Sequence, residues 1–329
     1  MDFSLSLNNQ NNNFFPLFRN GHLQTIAARF WPCHINPGRY PAESRLFESE
    51  PGVRVLTHCH FAQVDGPRDT ILIVHGLEGS SHSPYVVRLS GQALDAGFDV
   101  ARLNIRNCGG TESLSSTLYH SGLTTDLRSV AMQLADRQLY IIGFSMGGNM
   151  ALKLAGEWGS VVPSHVKAVC AVSPPIDLGA CALAISQPHN RIYEKRFLVQ
   201  LEKTLTRKKQ QMSVDYSLTH FPAIRTLVDF DNVFTAPAFG FKDAFDYYAH
   251  ASSKRFLHAI QAPTLVIQAQ DDPVIPREIF NHAAFNQNPS LRLVFPKHGG
   301  HVAFISKKKP RFWAHRLALD FFNQIRFNS

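Results

Sequence analysis

Five consecutive residues, Gly143-Phe144-Ser145-Met146-Gly147, place a hydroxyl between two glycines at the spacing of a nucleophile elbow. A turn sharp enough to present a serine at the end of a strand strains its backbone by about 1–3 kcal/mol, and side chains two residues to either side would collide. Both flanking positions must therefore be very small, and Gly143 and Gly147 are. The same five residues also describe a glycine-rich turn that packs a helix on a sheet, so the partners decide. A dinucleotide fingerprint fits less well, because it needs glycine where Ser145 stands, and no phosphate-binding P-loop motif is present.

A serine hydroxyl attacks a carbonyl only when an imidazole takes its proton and an acid orients that imidazole. In chain order the acid is expected next and the histidine last, each on a loop after a later strand. Ala269-Gln-Asp271-Asp272-Pro-Val-Ile-Pro276 and Lys297-His298-Gly-Gly-His301 occupy those places. Asp272 is the expected orienting acid because it opens the Pro273-Val-Ile-Pro276 turn, leaving Asp271 to cap the turn or face solvent. His301 is the expected base because Gly299-Gly300 lets the backbone approach the nucleophile, which leaves His298 a structural part. Two backbone N–H groups complete the constellation as an oxyanion hole: Met146 after the nucleophile, and Leu77 in the loop His75-Gly-Leu-Glu-Gly79. His75 reads as a fold-supporting hydrogen-bonding group. His58-Cys59-His60 lacks the further ligands of a metal site, and Cys108-Gly-Gly110 reads as a tight turn, so neither a metal nor a cofactor is expected.

These loops need a scaffold that brings them to one edge. Thr70–Val74, Phe98–Asn104, Leu139–Phe144, Val166–Val172, Thr264–Gln268 and Leu291–Phe295 read as buried strands, with Val53–Phe61 as an early edge strand. Helical patterns alternate with them over Val86–Ala96, around Leu123–Leu134, from about Asn149 to Glu157, and from about Pro310 onward. The fold class is α/β: a mostly parallel twisted sheet with helices on both faces. Residues 51–175 and 262–329 form its core, 1–50 an extension packing on that core, and 176–261 an inserted helical cap. In the cap, Tyr193, Phe197, Leu201 and Leu205 make an apolar stripe. Its aromatics Phe221, Phe230, Phe234, Phe239, Phe241 and Phe245 favour an apolar acyl group as substrate.

The chain has 329 residues, 44% apolar and 18% charged, which provides for a large core and excludes an extended disordered chain. Its net charge of +8 is regional: residues 191–209 carry +5 and residues 297–326 carry +6, against −3 elsewhere. No nucleic-acid-binding signature accompanies the charge, so no nucleic acid partner is expected. Solvated helix faces account for it by default, and contact of 191–209 and 307–311 with an anionic membrane surface is the alternative. Five cysteines without CxxC pairing argue for a reducing compartment. Met1–Asn13 lacks the basic start and apolar run of a signal peptide, and the expected location is cytoplasmic.

With Gly143-Phe-Ser-Met-Gly-Gly148, Asp271-Asp-Pro-Val and His298-Gly-Gly-His301 in place, the chain resembles the YheT-like branch of the α/β-hydrolase superfamily. Asn20-Gly-His-Leu-Gln-Thr25, His75-Gly-Leu-Glu-Gly-Ser-Ser81, Ser83-Pro-Tyr85, Asn104-Ile-Arg-Asn-Cys-Gly-Gly110, Phe230-Asp-Asn-Val-Phe-Thr-Ala-Pro237 and Asp246-Tyr-Tyr248 extend the resemblance over about 16–322. It implies an α/β-hydrolase fold and a serine esterase related to membrane-linked acylglycerol and phospholipid lipases of eukaryotes, with Ser145, Asp272 and His301 in the family's catalytic positions. Asn107 departs from the pattern, where relatives often carry glycine. The eukaryotic relatives' N-terminal membrane anchor is missing, which favours a bacterial-type soluble enzyme. The expected function is carboxylic ester hydrolysis of a small apolar ester or acyl lipid without a cofactor. Hydrolysis of a thioester, amide or carbon–carbon bond, and a non-catalytic lipid-surface or binding protein, are its rivals.

Overall fold

The computed structural model describes residues 14–61, 68–212 and 218–328. Its strands are β1 (Glu43–Glu50), β2 (Val53–His60), β3 (Asp69–Val74), β4 (Asp99–Leu103), β5 (Gln138–Phe144), β6 (Val166–Val172), β7 (Thr264–Ile267) and β8 (Leu291–Val294). They form one sheet in the order β1-β2-β4-β3-β5-β6-β7-β8, antiparallel from β1 to β4 and parallel from there on. Its longer helices are α1 (Gly21–Phe30), α2 (Pro84–Asp95), α3 (Thr125–Gln133), α4 (Met146–Trp158), α5 (Leu178–Ile185), α6 (Arg191–Gln211), α7 (Ala244–Ala251) and α8 (Trp313–Asn328).

Both faces of the sheet are covered, which is why its central strands are continuously apolar. Along β3, Ile71 and Ile73 join one core cluster with α2 and α8, while Leu72 and Val74 join another with α3 and α4. The alternation follows from the two-residue period of a strand. The parallel strands run the same way, so the connections after β3, β5, β7 and β8 leave one edge of the sheet, and all the candidate site residues lie on these connections, with Met146 the first residue of α4.

Three expectations are corrected. The edge strand is β1, and Val53–His60 is the second strand, hydrogen-bonded on both sides. The sheet therefore begins at Glu43, inside the segment expected to be an extension. α4 begins at Met146, directly after the serine, rather than near Asn149. The basic stretch 191–209 is only partly a solvated face: Lys208 is fully buried, and Arg207 pairs with the buried Glu112. Residues 307–309 are exposed as expected. Met1–Asn13, read as carrying no signal peptide, lies outside the described residues.

The helical segment between β6 and β7 has a core of its own, built from Leu198, Leu201 and Leu205 of α6 with Phe221, Ile224, Phe230 and Phe234, and Leu118 of the sheet domain joins it. Polar contacts fasten it to the sheet. The Lys208 ammonium donates to Asn107 Oδ1 at 2.7 Å and to the Ser115 carbonyl, and burial pulls its pKa down to about 8. Asn107 sits at φ +63°, a left-handed conformation that glycine adopts freely and that asparagine tolerates better than most residues. Its carboxamide supplies the cap contact that a glycine would lack.

Next to Asn107, the buried Arg106 donates to Asp126 Oδ2 at 2.9 Å and to Glu50 at 2.6 Å, tying β1, α3 and the loop after β4 together. Removing one partner of a buried pair leaves an uncompensated charge, whereas removing both does not. Arg106→Met is expected to cost about 3–5 kcal/mol, and Arg106→Met with Asp126→Leu distinctly less, measured as denaturant unfolding midpoints.

Candidate active site

β5 delivers Ser145 into a turn with φ +52° and ψ −123°, and α4 starts at the next residue. Close packing enforces the turn. A Cβ at Gly143 would stand 2.1 Å from the Gly147 carbonyl oxygen, and one at Gly147 would stand 2.5 Å from the His75 carbonyl oxygen. Only glycine fits either position, as the spacing predicts. The Ser145 N–H donates to the Val172 carbonyl at 2.8 Å, which pins the turn to the neighbouring strand.

His301 Nε2 lies 2.9 Å from Ser145 Oγ, and its Nδ1 lies 2.9 Å from Asp272 Oδ2. An ionised carboxylate accepts, so the proton is on Nδ1 and Nε2 is left to accept from the serine. Both carboxylate oxygens of Asp272 accept hydrogen bonds. The N–H groups of Val274 and Ile275 donate to Oδ1 at 2.9 and 3.1 Å, and Gln268 Nε2 donates to Oδ2 at 3.2 Å. The turn after Asp272 thus supplies two of its donors. The structure brings Ser145, Asp272 and His301 into one hydrogen-bonded chain, while Asp271 and His298 form a second pair.

That second pair is a brace. Asp271 Oδ2 lies 3.2 Å from His298 Nδ1, and Oδ1 accepts from the Gly300 N–H at 2.9 Å. Asp271 therefore binds the loop of His301, where the sequence left it capping its own turn or facing solvent. The role of Gly299-Gly300 also differs from the expected one. A Cβ at Gly300 would stand 2.5 Å from the Gly21 carbonyl oxygen, and one at Gly299 would meet the Phe304 ring at 2.6 Å. The two glycines make room for α1 and for Phe304, not for Ser145.

α1 is the element whose part the sequence left unread. Asn20 caps it, accepting from the Leu23 N–H at 3.0 Å. Gly21 packs so closely on Asp271 that a Cβ would lie 1.8 Å from the Asp271 carbonyl oxygen. Thr25 Oγ1 accepts from the His301 N–H at 2.8 Å. The buried Gln24 donates to the Ile305 carbonyl and accepts from the Ile305 N–H, both at 3.0 Å. His22 Nδ1 lies 3.0 Å from the Tyr193 hydroxyl of α6. The run Asn20-Gly-His-Leu-Gln-Thr25 is a clamp over the histidine loop. The tight Asn-capped start and the isolated buried Gln were its only local signals.

The N–H groups of Leu77 and Met146 donate to no other residue among the described ones, and both residues line the cavity that reaches Ser145. Gly76 approaches closely, a Cβ there lying 3.0 Å from Ser145 Cβ, and its N–H donates to the Tyr85 hydroxyl at 2.9 Å. Fully buried, His75 donates from Nδ1 to the Gly76 carbonyl at 2.7 Å and accepts at Nε2 from the Ile105 N–H at 3.1 Å. Burial lowers its pKa to about 4, so it stays neutral in that supporting role. Burial also raises the Cys108 thiol well above its usual value, and the Cys108 N–H donates to the Ile105 carbonyl at 2.9 Å in a tight turn. His60 is taken up by Arg102, at 3.0 Å from its Nε2, and by the Tyr40 carbonyl.

The cavity runs from Ser145 beneath α6 and has a volume of about 130 Å³. Its walls are mostly aliphatic, with Leu118, Leu178, Leu201, Leu205 and Ile275 prominent. Of the six cap phenylalanines singled out from the sequence, Phe230 alone lines it. Phe221 and Phe234 pack with Phe230 in the cap core, and Phe245 is exposed. Two half-buried carboxyls interrupt the apolar wall. Glu78 accepts from the Tyr119 and Thr204 hydroxyls, and Asp231 accepts from Thr235 and Tyr248 at 2.6 Å each. Burial raises both, Asp231 to about 6.

An eight-stranded, mostly parallel sheet with a serine on a strained strand-to-helix turn defines an α/β hydrolase, and the chain belongs to the alpha/beta hydrolase fold family, whose pattern matches residues 69–308. It is 30% identical to YheT of Escherichia coli strain K12, a candidate esterase, over 91% of this chain and 90% of that protein. It is 29% identical to medium-chain fatty acid ethyl ester synthase/esterase 2 of Saccharomyces cerevisiae, over 80% of this chain and 63% of the yeast protein. With phospholipase ABHD3 of Mus musculus it shares 29% identity over 74% of this chain and 60% of that one, so it spans about three-fifths of these eukaryotic relatives. The fold is similar to that of the Pyrococcus furiosus esterase Pf2001, with a TM-score of 0.59 at 18% identity over 90% of this chain and 96% of that one. No helix among the described residues is long and apolar enough to cross a membrane.

The contact between α1 and the histidine loop gives a direct test. Thr25→Val keeps the shape of the side chain and leaves the His301 N–H without an acceptor. The expected loss is about 1–3 kcal/mol in unfolding free energy.

Proposed function

We propose that the protein is a carboxylic ester hydrolase in which Ser145 is the nucleophile, His301 the general base and acid, and Asp272 the residue that orients the imidazole. The observation that carries this reading is the continuous hydrogen-bonded chain Ser145–His301–Asp272, with two unengaged backbone N–H groups beside the serine.

Ser145 Oγ attacks the carbonyl carbon of the ester as its proton passes to His301 Nε2. The carbonyl oxygen becomes an oxyanion and is met by the N–H groups of Leu77 and Met146; backbone donors in such a role stabilise the developing charge with little reorganisation. Asp272 stabilises the imidazolium through Nδ1. As the intermediate collapses, His301 returns the proton to the departing alkoxide and an acyl-Ser145 ester remains. A water molecule, deprotonated by His301, attacks that ester, and the second collapse releases the carboxylic acid and restores the serine.

The aliphatic cavity beside Ser145 supports an apolar acyl or alkyl group as the part of the substrate that is recognised. The yeast relative named for medium-chain fatty acid ethyl esters supports the same class. Esters are favoured over amides and thioesters on the relatives' names, the triad itself being common to all three.

Kinetics on a chromogenic ester series test the assignment, with matched amides and thioesters as comparison. Ser145→Ala, Asp272→Asn and His301→Ala are each expected to lower kcat by on the order of 10⁴-fold or more with the fold intact by circular dichroism. His298→Ala is expected to keep kcat within about tenfold, because its ring braces a loop. An inactive His298→Ala beside an active His301→Ala would reverse the assignment of the base.

A further inference from the structure

α1 buries one side on the histidine loop and turns another outward that carries apolar residues. Leu23, Ile26 and Phe30, three and four residues apart, are 53%, 45% and 75% exposed. α6 lies next to it through the His22–Tyr193 contact and shows the same composition: Ile192 is 71% exposed, Val199 is also exposed, and Lys195 and Arg196 stand between them. Single exposed apolar residues need no explanation, but two neighbouring helices presenting them together do.

The charge around this face is mostly positive, with Glu202, exposed on α6 three residues after Val199, set against it. From Phe14 to Ala42 and from Val302 to Leu319 the sequence carries no aspartate or glutamate. Arg19, Arg29, Lys195, Arg196, Lys308 and Lys309 have no acidic partner among the described residues. Burial, and next the like charge of Arg29, hold the Arg196 guanidinium below its usual value, so the basic groups of α1 and α6 are close enough to repel each other. Lys308 lies over the Phe15 ring at 3.7 Å and Arg311 over the Trp31 ring at 5.9 Å, so the 307–311 loop borders the same face.

We propose that the outward faces of α1 and α6, with the 307–311 loop at their border, dock on an anionic lipid bilayer. Leu23, Ile26, Phe30 and Ile192 enter the boundary between headgroups and acyl chains while the surrounding arginines and lysines meet the lipid phosphates. Unpaired basic groups around outward leucine, isoleucine and phenylalanine are the composition of a helix that lies in a membrane interface. A second copy of this chain offers that face its own positive charge and is disfavoured as its occupant. Because α1 also holds the His301 loop, docking brings the cavity toward the lipid that holds an acyl substrate. The binding itself stands apart from the reaction.

The full chain is sedimented with vesicles of phosphatidylglycerol and phosphatidylcholine in equal parts, and with phosphatidylcholine alone, at low and high salt. Binding to the anionic vesicles at low salt is expected, with loss of at least tenfold in partitioning on the neutral ones and at high salt. Leu23→Ser with Ile26→Ser and Phe30→Ser, and separately Lys307→Gln with Lys308→Gln and Lys309→Gln, are each expected to weaken anionic binding by tenfold or more while the far-ultraviolet spectrum is unchanged. Absence of binding at low salt, equal binding to both vesicles, or binding that survives the α1 substitutions overturns the proposal. A dimer in sedimentation velocity that the α1 substitutions dissociate overturns it in favour of self-association.

Discussion

Ser145 holds a backbone conformation that serine does not adopt unless its surroundings impose it, at a cost of about 1–3 kcal/mol. The rest of the site depends on that constraint. A relaxed turn would lower the hydroxyl into the strand-to-helix junction and move the Met146 N–H away from it. What imposes the turn is contact: Gly143 against Gly147, Gly147 against the β3 end, and the Ser145 N–H on β6. Because β3, β5 and β6 are parallel neighbours with both faces buried, the strain rests on strands anchored in the core.

The histidine has no such strand to stand on. Its loop turns through positive φ at Gly300, Val302 and Phe304, and its position is set by groups from distant parts of the chain. Thr25 holds its N–H, Gln24 holds Ile305, Asp271 holds Gly300, and Ser173 Oγ accepts from the Val302 N–H at 3.1 Å. The adjacent aspartates divide the contacts: Asp272 bonds to the His301 ring and Asp271 to the loop that carries it. On the other side, the cap reaches the same edge through Thr204 on Glu78 and Lys208 on Asn107, so α6 is tied both to the loop carrying Leu77 and to the one after β4.

What was legible in the sequence is what is local. The parallel strands are continuous apolar runs because both faces are covered, and their alternation with amphipathic helices gives the fold class directly. The elbow is legible because side chains two residues to either side of Ser145 would collide with the backbone, which leaves glycine at 143 and 147. Asp272 is legible because its donors are the next residues in its own turn. β1 was passed over because an edge strand with Phe47 alone fully buried reads as a polar segment, and charged residues are how an exposed edge is protected. The clamp of α1 was unread because Gln24 and Thr25 meet partners more than 270 residues away. Lys208 sits in a run of basic residues whose composition points to solvent, and only the fold shows the carbonyls it meets.

The account stands or falls on where an acyl-like electrophile attaches. The full chain, treated with a fluorophosphonate and digested, is expected to carry one adduct, mapped by tandem mass spectrometry to Ser145, and to carry none once Ser145 is alanine. An adduct on another serine, or undiminished labelling of the alanine variant, would contradict it.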